Sequence, residues 1–144
     1  MEHRQIRSFQ DLNVYKSAYQ QCLCVFKEIL PKLPPEEKYD LRDQLSRSSK
    51  AVPRLIAEGY AKKHQQKGFQ KYIDDALAES NETIVGLHQC RDLYAMDTKR
   101  IAELVDAYDK ISRQLYKLAY AWDSFKNVRK VADLKQTSRV TENR

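Results

Sequence analysis

The chain has 144 residues, of which 42% are hydrophobic and 32% charged, and its formal net charge at pH 7 is +6. This length favours one domain that buries a core without disulfides or metals. The longest uninterrupted apolar runs have five residues, which excludes a membrane span, and the polar N-terminus argues against a secretory signal, so we expect a cytoplasmic protein.

The three cysteines carry no sign of a metal or redox site. Their number is odd, and Cys22, Cys24 and Cys90 include no Cys-x-x-Cys pair. The first two would point about 200° apart on a helix, so they cannot share a metal ion. We interpret all three as reduced residues that partly fill a core, and we expect neither a metal nor another cofactor.

Four segments repeat apolar residues at alternating spacings of three and four, which is the period of an α-helix. The first segment ends at a group of prolines, and its stripe is Leu12, Tyr15, Tyr19, Cys22, Phe26 and Ile29. The second stripe is Leu41, Leu45, Ser48, Val52, Leu55 and Gly59. The third stripe is Phe69, Ile73, Ala76, Ser80, Thr83, Leu87, Cys90 and Tyr94. The fourth stripe is Ile101, Leu104, Tyr108, Ile111, Leu115, Leu118, Trp122 and Phe125.

Pro53 lies inside the second segment, where proline removes one helix hydrogen bond and crowds the carbonyl of Ser49. The hydroxyls of Ser48 and Ser49 are placed to bond freed backbone groups. This favours one kinked, continuous helix over two separate helices.

The four segments are joined by short links, and no stretch alternates as a strand does. We therefore predict an all-α protein, an antiparallel four-helix bundle over residues 1–125. Residues 126–144 contain six basic and two acidic residues, and we predict a basic C-terminal extension that is helical at first and then disordered. Apolar residues beside the main stripes, such as Leu77 and Ile84, leave self-association open.

The residue patterns of common catalytic sites are missing from the sequence. None of the three histidines follows a Glu by three residues, as a di-iron bundle requires. There is no phosphate loop, zinc-binding spacing or nucleophile elbow. His88 precedes Asp92 by one helical turn, but such a pair is more often a surface hydrogen bond than a catalytic dyad. We therefore expect no enzymatic activity.

Positive charge is concentrated in one part of the chain. Residues 42–71 contain eight Lys or Arg against two acids, an excess that equals the net charge of the whole protein. Arg47, Lys50 and Arg54 each follow a stripe position of the second segment by two residues, so they form a row that faces away from the core. No acid lies among positions 44–57, which predicts that pairing along the helix does not neutralise this row. The predicted site also includes Lys62, Lys63, Lys67, Lys71, Lys126, Arg129 and Lys130.

Such a surface suits RNA or an RNA–DNA intermediate, bound mainly through phosphates and therefore with low sequence specificity. Tyr60 and Phe69 lie nearby and suit base stacking and core packing equally well. A second interpretation stays open, in which the basic face docks an acidic protein or an acidic surface of a neighbouring subunit, since residues 72–125 carry ten acids against six basic residues. The third interpretation is a basic face that is solvated and has no partner.

Four stretches carry a family resemblance: Phe9–Tyr15, Tyr39–Ser49, Val52–Tyr60 and Phe69–Glu82. In this order they resemble the motifs of the four-helix-bundle family of 23S rRNA intervening sequence proteins. The related accessory variability determinant proteins of diversity-generating retroelements are similar too. Two residues depart from the pattern: Leu55 stands where the family usually has Asn, and Arg54 where it often has Ser.

The resemblance implies a homopentameric ring of bundles without catalytic activity. Through the retroelement relatives it implies a nucleic-acid-binding scaffold that is the accessory partner of a reverse transcriptase. Through the intervening-sequence relatives it implies a protein-interaction module whose basic face docks an acidic protein partner. Glu58 and Gly59 match structural positions of the family, and we expect Glu58 to pair with a cation such as Lys62.

Overall fold

The computed structural model of the chain describes the backbone of residues 5–142 and the side chains of residues 5–121. Within that range it contains four α-helices and no strand: α1 (Asn13–Cys24), α2 (Leu41–Ala61), α3 (Gln66–Tyr94) and α4 (Thr98–Glu142). Short 3-10 turns lie at Phe9–Asp11, Leu30–Lys32 and Pro35–Glu37. The prediction of an all-helical bundle is confirmed. No helix in the described part combines the length and the apolar character needed to cross a membrane.

Contacts between α2 and α3 show that these neighbours run antiparallel. Near the start of α2, Leu45 faces Gly86, and one turn later the Thr83 hydroxyl donates to the Ser48 hydroxyl at 2.8 Å. At the end of α2, Gly59 faces Ile73. The residue numbers of the α3 partners thus decrease as the residue numbers on α2 increase. Small residues at these positions let the two backbones approach closely.

The other helix pairs follow the same antiparallel order. Ser80 of α3 donates to the carbonyl of Tyr108, and Ser112 donates to Ser80 at 2.8 Å. On the opposite side of the bundle, the Cys22 thiol of α1 lies 4.0 Å from the Ser49 hydroxyl of α2. These hydroxyls are buried but satisfied, so the polar layer does not leave unpaired groups in the core at these positions.

The buried faces of α2, α3 and α4 follow the predicted stripes over the described side chains, but the face of α1 does not. Val14, Ala18 and Cys22 are buried, whereas Tyr19 is 51% exposed. The prediction placed Tyr15 and Tyr19 in the core, and the structure turns this side of α1 towards the edge of α2. Small Val14 and Ala18 allow close packing, while a tyrosine hydroxyl is cheaper to leave in water.

After Cys24 the helical chain of α1 continues as a π turn, Val25–Ile29, in which the amide of Leu30 donates to the carbonyl of Val25. This turn brings Glu28 to Arg100 at the start of α4, where the guanidinium donates two hydrogen bonds of 2.8 and 2.6 Å. Asp97 accepts from the amides of Lys99 and Arg100 in the first turn of α4, so it caps the start of this helix.

α2 is one continuous helix with Pro53 in its interior, as the sequence favoured. The two serines before it have a different role from the predicted one. The Ser49 hydroxyl donates to the carbonyl of Leu45 at 2.7 Å, and Ser48 accepts from Thr83. They therefore stabilise the preceding turn and the contact with α3 rather than the carbonyl that Pro53 leaves free.

Candidate nucleic-acid interface

The row of cations predicted on α2 lies on the solvent side of the helix. Arg47, Lys50 and Arg54 are exposed, whereas Leu45 and Val52, each two residues before a cation, are buried. Because the three cations are spaced three and four residues apart, they are neighbours along one face. The helical period alone produces this arrangement.

Acidic groups lie at both ends of the row. Asp43 pairs with Arg47 at 3.6 Å, so the prediction that no pairing along the helix occurs is wrong at this end, because the window considered began one residue after Asp43. Glu79 on α3 also interacts with the Arg47 end of the row. Burial and the neighbouring Glu82 raise the pKa of the Glu79 carboxyl, whereas the charge of Arg47 lowers it. Glu58, exposed at the other end, forms no ion pair with Lys62, contrary to expectation, since the Lys62 ammonium lies over the Tyr72 ring at 5.0 Å.

The turn between α2 and α3 extends the positive surface. Lys62 and Lys63 directly follow α2, and Lys67 and Lys71 lie on the first turns of α3; all four are exposed. The Lys63 ammonium donates to the Tyr60 hydroxyl at 2.9 Å and lies 4.1 Å from the centre of that ring. A phenol holds the ammonium in place without cancelling its charge.

We call the seven described cations the basic surface: Arg47, Lys50, Arg54, Lys62, Lys63, Lys67 and Lys71. Among the side chains that the structure describes, Arg47 alone of these seven pairs with a carboxylate. From Arg47 to Lys62 the surface spans about 22 Å at 1.5 Å per residue. The predicted cations Lys126, Arg129 and Lys130 lie outside the described side chains.

The two aromatic residues named from the sequence are not free to stack on bases. Phe69 is 3% exposed and belongs to the core. Tyr60 is half-buried and its ring lies against Lys63. Further aromatic residues beside the basic surface come from α1 and the turn before it.

These residues form a groove between α1 and α2 with a volume of about 440 Å³. It is lined by Phe9, Tyr15, Tyr19, Cys22, Lys50, Pro53, Arg54 and Ala57. Two cations of the basic surface thus lie on the wall of an aromatic groove. The sequence did contain the signal, because Tyr15 and Tyr19 are amphipathic residues that rarely both disappear into a small core.

Groups that could support catalysis are scattered. Asp92 accepts from the Arg91 guanidinium at 2.7 Å rather than from His88. Burial raises the pKa of the Cys90 thiol to about 11, so it stays protonated and unreactive at neutral pH. Over the described residues, no group of three or more His, Cys, Asp or Glu side chains is placed to hold a metal ion.

Comparison with known proteins gives one match. The family model described as 23S rRNA-intervening sequence protein matches residues 10–117, which include all of α1, α2 and α3, the part of α4 up to residue 117, and the whole basic surface. No curated protein and no solved structure matches the chain. Since the match covers well over half of the sequence, the chain belongs to the 23S rRNA-intervening sequence protein family.

Proposed function

We propose that this protein is a non-enzymatic RNA-binding scaffold that holds the phosphate backbone along the basic surface. The observation that carries the proposal is a row of seven exposed cations of which, over the described side chains, one is paired with a carboxylate. At the other six cations no described carboxylate competes with phosphates, and the ring contacts of Lys62 and Lys63 leave their charge in place. Binding of this kind is strongly dependent on salt and weakly dependent on sequence.

The structure allows the salt dependence to be estimated. If all seven cations contact phosphates of a single strand, the logarithm of the binding constant falls against the logarithm of salt concentration with a slope of about −5. Replacing both Arg47 and Arg54 by Glu removes two contacts, so the slope becomes about −3.5 and affinity falls at every salt concentration. The helix itself should persist, because the only described ion pair that is lost is an exposed one.

The experiment measures fluorescence anisotropy of a labelled, unstructured RNA at several salt concentrations. The matched control replaces Lys110 and Lys117 by Glu; these exposed residues of α4 are also seven apart, and the change in net charge is the same. We expect the control to keep the wild-type slope. Failure of the wild-type protein to bind RNA at low salt would refute the proposal. An equal loss in both double variants would show that net charge, rather than the basic surface, determines binding.

We also propose that the scaffold works as a homo-oligomer, with the pentameric ring implied by the resemblance as the expected form. Large apolar side chains on α3 and α4 support self-association: Val85 is 53% exposed, Leu93 67%, Tyr116 68% and Tyr120 70%. Light scattering should give a mass near that of five chains of 16.9 kDa. A monomer at micromolar concentration would contradict it. In a retroelement setting the bound strand would be an RNA–DNA intermediate and the protein partner a reverse transcriptase, which co-purification from the native host would detect.

A further inference from the structure

The groove between α1 and α2 combines two kinds of chemistry. Its wall is mostly aromatic and aliphatic, and it carries the side chains of Lys50 and Arg54. No carboxylate lies among the lining residues. A volume of about 440 Å³ falls within the roughly 300–1,000 Å³ that small-ligand sites usually have. The groove therefore suits a flat apolar group that carries negative charge on its edge.

The aromatic rings of the groove form a connected series. Phe9 meets Tyr15 edge to face at 4.9 Å between ring centres, and Tyr15 lies 6.0 Å from Tyr19. A planar group inserted between two rings needs a distance between those rings of about twice the 3.4 Å spacing of stacked bases. The two tyrosine rings lie closer than this, so there is no room for such a group between them. Tyr19, 51% exposed, lines the groove instead, together with the buried Pro53 of α2.

We propose that this groove binds one unpaired nucleobase of RNA against Tyr19 and Pro53, with the flanking phosphates on Lys50 and Arg54. The inference rests on the proposed function and adds to it the class of nucleic acid. A base inside a duplex is stacked and paired, so it cannot enter the groove, whereas a base in a single strand or loop can. The basic surface alone would hold either form through its phosphates.

The charge of the groove favours a nucleotide over an apolar peptide or a second copy of the chain. Lys50 and Arg54 belong both to the groove and to the basic surface, so a strand that follows the cations passes the groove opening. The Lys50 ammonium also lies 5.4 Å from the ring centre of Phe26, a neighbour outside the groove lining that cancels none of its charge. An apolar occupant would bury these two charges without a partner, which is costly.

The test compares the affinities of single-stranded and fully duplex RNA of the same length for wild-type protein and three variants. Tyr19→Ala should weaken single-strand binding by about 5- to 100-fold, the usual loss for one stacked base, and leave duplex binding unchanged. Tyr19→Phe keeps the ring and should bind like the wild type. Tyr39→Ala removes a tyrosine that is 86% exposed just before α2 and should change neither affinity.

A fluorescent purine analogue in the single strand gives a second readout, because stacking on Tyr19 quenches it. Quenching by wild-type protein and by Tyr19→Phe, but not by Tyr19→Ala, is expected. Unchanged single-strand affinity in Tyr19→Ala would overturn the base site while leaving the phosphate proposal standing. A wild-type protein that binds neither RNA would instead refute the proposed function. If Tyr19→Ala lowers the mass in light scattering and leaves RNA affinity unchanged, the groove is a contact between copies of the chain and the base site is wrong.

Discussion

Gly86 lies at a point where α3 approaches α2 so closely that even one methyl group has no room. A Cβ added there would lie 2.6 Å from Cδ2 and 2.8 Å from Cγ of Leu45. Both distances are shorter than carbon atoms tolerate, and Leu45 is only 1% exposed. Because the Cγ is involved, rotation of the leucine tip alone cannot relieve the contact. The whole side chain must move into a packed core.

The expected effect of Gly86→Ala follows from two opposing contributions. Overpacking a well-filled core costs about 1–3 kcal/mol, whereas Ala in a helix is favoured over Gly by about 1 kcal/mol. We expect a net loss of up to about 2 kcal/mol in the free energy of unfolding, measured by urea denaturation followed by circular dichroism. The slope against urea should not change, because the exposed surface stays the same.

Gly68→Ala is the matched control. It is also a helical glycine, but an added Cβ would meet its nearest atoms, on Gln65 and Lys62, at 3.4 Å, an ordinary contact distance. This variant should gain up to about 1 kcal/mol from helix propensity. In the Gly86→Ala background, Leu45→Ala should cost less than it does in the wild type, because the new methyl group fills part of the cavity. Equal stabilisation by both glycine substitutions would refute the close packing of α2 and α3.

Two further predictions concern the C-terminal end of α3. The Tyr94 hydroxyl donates to Glu37, which lowers the pKa of that carboxyl from its ordinary 4.5 and raises the pKa of Tyr94 to about 12. A carboxyl group whose pKa is lower in the folded than in the unfolded protein stabilises the fold at pH values above its unfolded pKa. This stabilisation is lost as the pH falls through the folded pKa. Tyr94→Phe should therefore lower the melting temperature at pH 7, and the difference from wild type should shrink below about pH 4.5; a difference that persists at pH 3 would contradict the pairing. Ala95 ends α3 with φ 50°, a conformation that costs a non-glycine residue about 1–2 kcal/mol. Ala95→Gly should raise the melting temperature by about 2–4 °C, whereas Ala102→Gly, in the exposed interior of α4, should lower it; a decrease in both would exclude strain at Ala95.

The helical period predicts much of this fold because three of the four helices bury one simple face. On α2, α3 and α4, positions such as Leu45, Ile73 and Leu104 are buried as their spacing requires. The direction of Arg47, Lys50 and Arg54 follows from the same period. Gly86, in contrast, has no side chain and gives no signal in a hydrophobic pattern, so its role emerges only from the distance to Leu45.

The groove was missed for a different reason, although Tyr15 and Tyr19 carried a signal for it. It depends on the rotation of α1 against α2, which is set by contacts between residues far apart in sequence. The pattern of α1 fits two overlapping faces that share Cys22, and the one with Val14 and Ala18 packs into the core. That choice turns Tyr19 outward and creates the aromatic wall, so an error of less than 100° in helix phase hid the groove.

The π turn at Val25–Ile29 divides the first helix into two parts that serve different neighbours. The part before it places Tyr15 and Tyr19 beside α2, and Glu28 within the turn itself anchors the start of α4 through Arg100. A π turn holds one residue more than a regular α turn, so a chain shorter by one residue here would return to regular α geometry while the residues before and after the turn kept their direction. The change would stay within the turn that carries Glu28. Groove-facing and scaffold-facing residues of one helix can therefore vary separately, which allows the groove to change without dismantling the bundle.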